Sequence, residues 1–184
     1  KKPEQAKNWL RRAISANPKD PRGALMLAQV LAGSGKNSAA AGVLTQAVKS
    51  RPDVFELYAR LADARLAAGD KKGAADAIRG ALLRAPDPKD KKLDERSRVA
   101  ALETNVALHL ALGRIYGNSN QPKQAQAEFQ IAHQLDTKDA QSLSLLARAQ
   151  LQNKDSAAGI KSLEDSLQRD SKQPSERHLL AQSY

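Results

Sequence analysis

Small and large apolar residues recur along this 184-residue chain at offsets of four and then three. The series reads Ala6/Leu10/Ala13, then Ala40/Leu44/Ala47, then Ala74/Ile78/Ala81, and each is closed by a proline, Pro18, Pro52 or Pro86, in steps of 34 residues. Those offsets place the apolar positions on one face of a helix, where a small residue lets a neighbouring helix come close; proline then stops the run. The register returns as Ala125/Phe129/Ala132 with Thr137 in the proline slot, and more weakly as Gly159/Leu163/Ser166 with Ser171. Ahead of these helices runs a second helical pattern, visible in Ala24/Leu27/Ala28/Leu31, Tyr58/Leu61/Ala62 and His109/Leu112/Gly113/Tyr116. Each period is therefore a helix hairpin, and about four and a half copies predict an all-α fold.

Punctuation sets the boundaries. Second helices are predicted near 3–16, 37–50, 71–85, 121–135 and 155–169, and first helices near 20–34, 53–68, 139–152 and 173–184. The turns between them, at Gly33 to Lys36, Gly69 to Lys71, Asn118 to Pro122 and Asn153 to Asp155, supply residues that tolerate a left-handed backbone, followed by residues suited to starting a helix. Between Pro86 and the third repeat the register slips by 17 residues. The inserted segment 88–105 is half charged, carries Leu93, Val99 and Leu102, and has no Gly or Pro after Pro88. It reads as an extension of the third repeat's first helix, from about Leu93 to Tyr116 and roughly 36 Å long. A disordered charged loop is the competing reading.

The 34-residue unit resembles the tetratricopeptide repeat, whose first helix carries a large residue, Leu, Gly and Tyr and whose second carries Ala, Phe, Ala and Pro. The third repeat, with Leu112, Gly113, Tyr116, Ala125, Phe129 and Ala132, stands nearest that pattern. Elsewhere Arg65 and Gln150 occupy the Tyr slot, and Ala28, Ala62 and Ala147 replace Gly. The resemblance covers nearly the whole chain. It implies a right-handed superhelical solenoid of antiparallel helix pairs, with one inserted or extended helix, and an inner groove lined by first helices that grips peptides. The domain expectation is one array over 1–184, cut from a longer one, with an insertion at 88–105.

Aromatics are 3% of the residues, which suits helices packed through small side chains. No stretch reaches the roughly 18 consecutive apolar residues of a membrane span. With no cysteine, structural disulfides and thiolate metal sites are excluded, and either cytoplasm or periplasm is compatible. Net charge is +10, and residues 1–98 hold 21 basic and 11 acidic side chains against nine of each in 99–184. That basic half favours acidic partners, anionic polymers or a membrane surface, or serves only as a solvated face.

Catalytic or metal chemistry finds no support. His109, His133 and His178 lie on separate helices without ligand spacing, and Gly33-Ser34-Gly35-Lys36 joins two helices instead of following a strand. No cofactor is implied, and His109 falls in a packing slot. The candidate partner-binding groove comprises Arg22, Gln29, Glu56, Arg60, Asp63, Arg114, Asn118, Gln141 and Arg148, with Ser144 and Gln182 on the same face. Arg114 and Arg148 lead that set, because guanidinium suits bidentate contact with carboxylate or phosphate; pairing with neighbours or solvent is the other reading. The Lys/Asn clamp by which one subclass of the family holds a chaperone's C-terminal carboxylate is absent, as Leu25, Gln29 and Arg60 show. Nucleic acid is a weaker rival as ligand, since Trp9, Phe55, Tyr58, Tyr116 and Phe129 mostly occupy packing slots.

Function therefore reads as a non-catalytic scaffold or adaptor for a protein or peptide, acidic in character. The Ala-rich, basic style is similar to bacterial cell-envelope arrays of the PEP-CTERM sorting and exopolysaccharide export type, which would place the chain in the periplasm or envelope; the cytoplasm is the other location. Binding of acidic polysaccharide or another anionic polymer is the rival function, and self-association through the Lys1 or Tyr184 end a third possibility.

Overall fold

Aspartates cap the start of five helices, and left-handed residues turn the chain within the hairpins. The computed structural model describes residues 2–184, with side chains from Glu4 onward, so Lys1 lies outside the described residues. These form ten helices and no strand: α1 (Lys2–Ala16), α2 (Pro21–Ala32), α3 (Asn37–Ser50), α4 (Phe55–Ala67), α5 (Lys71–Leu82), α6 (Glu95–Asn118), α7 (Pro122–Leu135), α8 (Ala140–Gln152), α9 (Ser156–Arg169) and α10 (Pro174–Ser183). Every bound falls within three residues of the one read from periodicity. The side chains of Asp20, Asp70, Asp94, Asp139 and Asp155 each accept a hydrogen bond from a backbone N–H in the first turn that follows, satisfying donors a helix leaves open. Positive φ recurs at one register position of the intra-repeat turn: Gly35 (73°), Gly69 (83°), Asn120 (57°) and Lys154 (65°). Glycine and asparagine meet that demand readily; Lys154 adopts it despite its Cβ. The fold is all-α, of the helical-repeat solenoid class.

Two compact units divide the chain, Lys1–Ala85 and Pro86–Tyr184. In the first, α1 to α5 pack in sequence order, and α2 also touches α4. The repeat positions Ala40, Leu44, Ala74, Ile78 and Ala81 are essentially inaccessible, as is Leu57 between them. Loops one repeat apart are stapled by Arg51 Nη1, which donates to the Lys19 carbonyl at 3.0 Å. On α1 the same register behaves differently: Ala6 and Ala13 are exposed and Leu10 half-buried, because among the described residues no helix covers that face.

In the second unit α6 packs on α7, α7 on α8, α8 on α9 and α9 on α10. The charged insertion is helix from Glu95 onward, two residues later than Leu93, because Asp94 is the cap and its carboxylate accepts from Ser97 N at 2.7 Å. Residues before it are short turns closed by Asp87 and Asp90 carboxylates on Lys89 N and Lys92 N. At 24 residues α6 outruns the 14-residue α7 by about 15 Å. Gly113 on α6 lies under the Phe129 ring of α7, where a Cβ would come within 2.5 Å of the ring. Further along, hydroxyls replace apolar packing: Ser166 donates to the Ala140 carbonyl and Ser162 to Gln150 Oε1, both across helices. Arg169 repeats the role of Arg51 by donating to the Thr137 carbonyl 32 residues back.

Candidate functional site

The first unit holds a groove between its first helices. A cavity of about 530 Å³ is floored by Leu25, Met26, Ala28 and Ala32 of α2, Ala40 and Leu44 of α3, and Ala64 and Ala67 of α4. Gln29, Glu56, Arg60 and Asp63 form its polar rim, so four of the five candidates from this unit converge. Helical spacing explains the rim, since 56, 60 and 63 lie one turn apart on α4. Arg60 Nη2 stands 3.5 Å from Glu56 Oε1 and Nη1 4.0 Å from Asp63 Oδ2, and all three side chains are more than half exposed. Arg22, the fifth candidate, does not line the cavity; its guanidinium grips Asp20 through bonds of 2.7 and 3.0 Å.

Candidates of the second unit differ in their surroundings. Arg114, on α6 beside Gly113, is exposed and has no hydrogen bond or ion pair among the described residues. Asn118 ends α6, and Gln141 is exposed in the first turn of α8, where its backbone N–H donates to the Asp139 cap. Arg148 is occupied. Its Nη2 donates to Glu176 Oε1 at 2.9 Å, and the same carboxylate accepts from Ser144 Oγ at 2.6 Å and Ser175 Oγ at 2.5 Å. Glu176 is only 6% exposed. Burial pushes its carboxyl pKa up, but the bonds from Ser144, Ser175 and Arg148 outweigh that push and hold it at about 2. Of the two readings for Arg148, pairing with a neighbour is what the structure contains.

Sequence reasoning overlooked the cavity floor and Glu176. Met26, 56% exposed, sits next to the packing positions Leu27 and Ala28, so a large apolar residue on a polar flank was the available signal. Glu176 shares the register of Leu57, Leu108 and Ser142, all buried, and a carboxylate in a core slot needs partners. The slots lacking the repeat's Tyr also find polar work: Arg65 donates to the Gly73 carbonyl at 2.7 Å, and Gln150 accepts from Ser162. Trp9 departs from expectation, being 68% exposed with the Arg12 guanidinium 5.4 Å above its ring. Since α1 turns that side to solvent, Trp9 fills no packing slot. Tyr58, Tyr116 and Phe129 are buried as expected. His109 packs and also bonds, with Nδ1 2.7 Å from Glu128 Oε2 on α7. A smaller hollow of about 310 Å³ lies in the second unit between the added turns of α6 and the end of α7, at Val99, Leu102 and Leu135. Arg98 lines it, and its Nε is buried without a hydrogen-bond partner among the described residues. No described helix is long and apolar enough to cross a membrane.

Helix hairpins in a 34-residue period, with first helices framing a groove, define a helical-repeat scaffold. The sequence matches the tetratricopeptide repeat over residues 25–91 and 110–174, and the chain belongs to that family. Proteins of this family are in general non-catalytic scaffolds that bind proteins or peptides. Similar solved structures include MamA from Desulfovibrio magneticus RS-1, at 19% identity and TM-score 0.65 over 94% of this chain and 88% of that one. YrrB, described as a TPR protein with an unusual peptide-binding site, gives 16% identity and TM-score 0.65 over 95% and 81%. A thermophilic TPR protein of Thermus thermophilus, TTC0263, gives 19% identity and TM-score 0.61 over 98% and 90%. At these identities the likeness is one of fold. No curated protein matches the sequence.

Proposed function

We propose that this chain is a non-catalytic scaffold that holds a segment of a partner protein in the groove between α2 and α4. The observation that carries this reading is the cavity of about 530 Å³ with an apolar floor and a rim of Gln29, Glu56, Arg60 and Asp63. Its size is that of a site for a few side chains, and concave apolar sites with a small number of polar groups are where ligands bind. The peptide site in YrrB's description lends support from a similar fold. Met26→Gln/Ala32→Gln makes the exposed part of the floor polar and leaves the buried core intact. In quantitative pull-downs from source-cell lysate, the expected result is that a specific partner retained by the parent chain is depleted at least tenfold with this variant and unchanged with Lys49→Gln. Equal recovery by all three would place the binding surface elsewhere.

A second reading rests on charge. Residues 1–85 contain 16 basic and seven acidic side chains, and all seven acids lie within 4.0 Å of a basic group. What remains is an unneutralised positive field on the unit, which favours an acidic polymer or acidic protein surface. Sorting or exopolysaccharide export at a bacterial envelope is a setting that offers such polymers. Binding of polygalacturonate, followed by biolayer interferometry, is expected to weaken several-fold between about 50 and about 200 mM salt as the screening length shortens. Salt-independent binding would count against this reading.

A further inference from the structure

The groove of the first unit carries the opposite sign from the unit around it. Its lining includes two carboxylates, Glu56 and Asp63, and one cation, Arg60. Arg60 sits between them at 3.5 and 4.0 Å, beyond a well-formed hydrogen bond with either, so both carboxylates keep acceptor capacity for another donor. The Gln29 side-chain amide also has no hydrogen-bond partner among the described residues and offers one donor face and one acceptor face, as a peptide main chain requires. Below this rim the floor is apolar, with Met26 and Leu25 on one wall and Leu44 at the base.

We propose that the occupant of this groove is a peptide segment presenting a large apolar side chain, of Leu, Met or Phe size, beside a Lys or Arg. The apolar side chain fills the floor, the cation lies between Glu56 and Asp63 at the rim, and Gln29 bonds the peptide backbone. An acidic segment would set its carboxylates against two of the same sign with Arg60 alone to receive them. The preference expected from composition, for an acidic partner, is thus reversed inside the groove, while the basic excess of the unit lies outside it. This inference depends on the groove reading above, and the two fail differently.

A phage-displayed random dodecapeptide library is the probe, panned against the whole chain. Enriched peptides are synthesised and measured by fluorescence anisotropy on the parent, on Met26→Gln/Ala32→Gln, on Glu56→Gln/Asp63→Asn and on Arg60→Gln. All five positions are exposed, so circular dichroism should match across the set. The expected result is enrichment of Lys or Arg next to Leu, Met or Phe, with affinity falling roughly five- to tenfold on Glu56→Gln/Asp63→Asn, as two rim-exposed ion pairs permit. Enrichment of Asp- or Glu-bearing peptides that lose affinity on Arg60→Gln would overturn the charge assignment and leave the groove standing. Apolar peptides indifferent to all three rim positions would do the same. Peptides that bind the Met26→Gln/Ala32→Gln variant as well as the parent, or no enrichment at all, would overturn both readings.

Discussion

Phe129→Ala is expected to cost about 3–5 kcal/mol of stability, the range for removing a buried aromatic ring from a core that cannot close around the gap. Its ring is 5% exposed and fills the space that Gly113 leaves on α6. The reciprocal change separates this fit from ordinary burial. In the parent chain Gly113→Ala sets a Cβ 2.5 Å from the ring, and a buried ring has little room to swing away. Overpacking of that kind costs about 1–3 kcal/mol, against a gain of about 1 kcal/mol for replacing glycine within a helix. The net effect is therefore a loss. Once Phe129 is alanine, the three atoms nearest that Cβ are gone and the helix gain outweighs the crowding, so Gly113→Ala should change sign and stabilise. Urea unfolding of the four chains in the cycle reads this directly. Additive effects would mean that α6 and α7 can move apart, and the hairpin that presents Arg114 would be less rigid than its packing indicates.

That pair was legible in the sequence because it belongs to the period. A Gly and a Phe 16 residues apart in the repeat's two helices mark a close approach, and the same logic fixed helix bounds within three residues. Asp94 shows where the reading slips: Leu93 marks the apolar stripe, but the side chain that satisfies the first-turn N–H fixes the start. The site was legible only as a face. Helical offsets put Gln29, Glu56, Arg60 and Asp63 on the side away from the core, and the cavity gathers all four. Its floor was not legible, because Met26 and Leu44 come from different helices and meet only after packing. Arg22 stays outside that cavity for a local reason, the cap at Asp20 two residues earlier. The identity of Arg148's partner was not legible for a long-range one, since that partner lies 28 residues ahead on another helix.

Arg148→Glu is accordingly expected to act first on the fold. It deletes the charged hydrogen bond to Glu176 Oε1 and brings a second carboxylate to a nearly inaccessible one, which Ser144 and Ser175 alone then satisfy. The loss should be about 1.5–3 kcal/mol, the range for hydrogen bonds to charged groups, with Arg148 half exposed and so short of a fully buried pair. Adding Glu176→Gln should recover much of that loss, because no buried charge remains to be repelled. The pH dependence has a definite sign. Glu176 falls from its ordinary value of 4.5 to about 2 in the folded parent, so its stabilising contribution is complete above about 4.5 and disappears as pH falls through about 2. Across that window the parent should lose stability and the Arg148→Glu chain should lose less, narrowing the gap between them; Glu176→Gln should remove this part of the slope. Thermal unfolding at pH 7, 4.5 and 2.5 tests each point. A variant that stays as stable as the parent at pH 7 yet loses a bound partner would return Arg148 to the binding surface, with Glu176 as the residue that orients it.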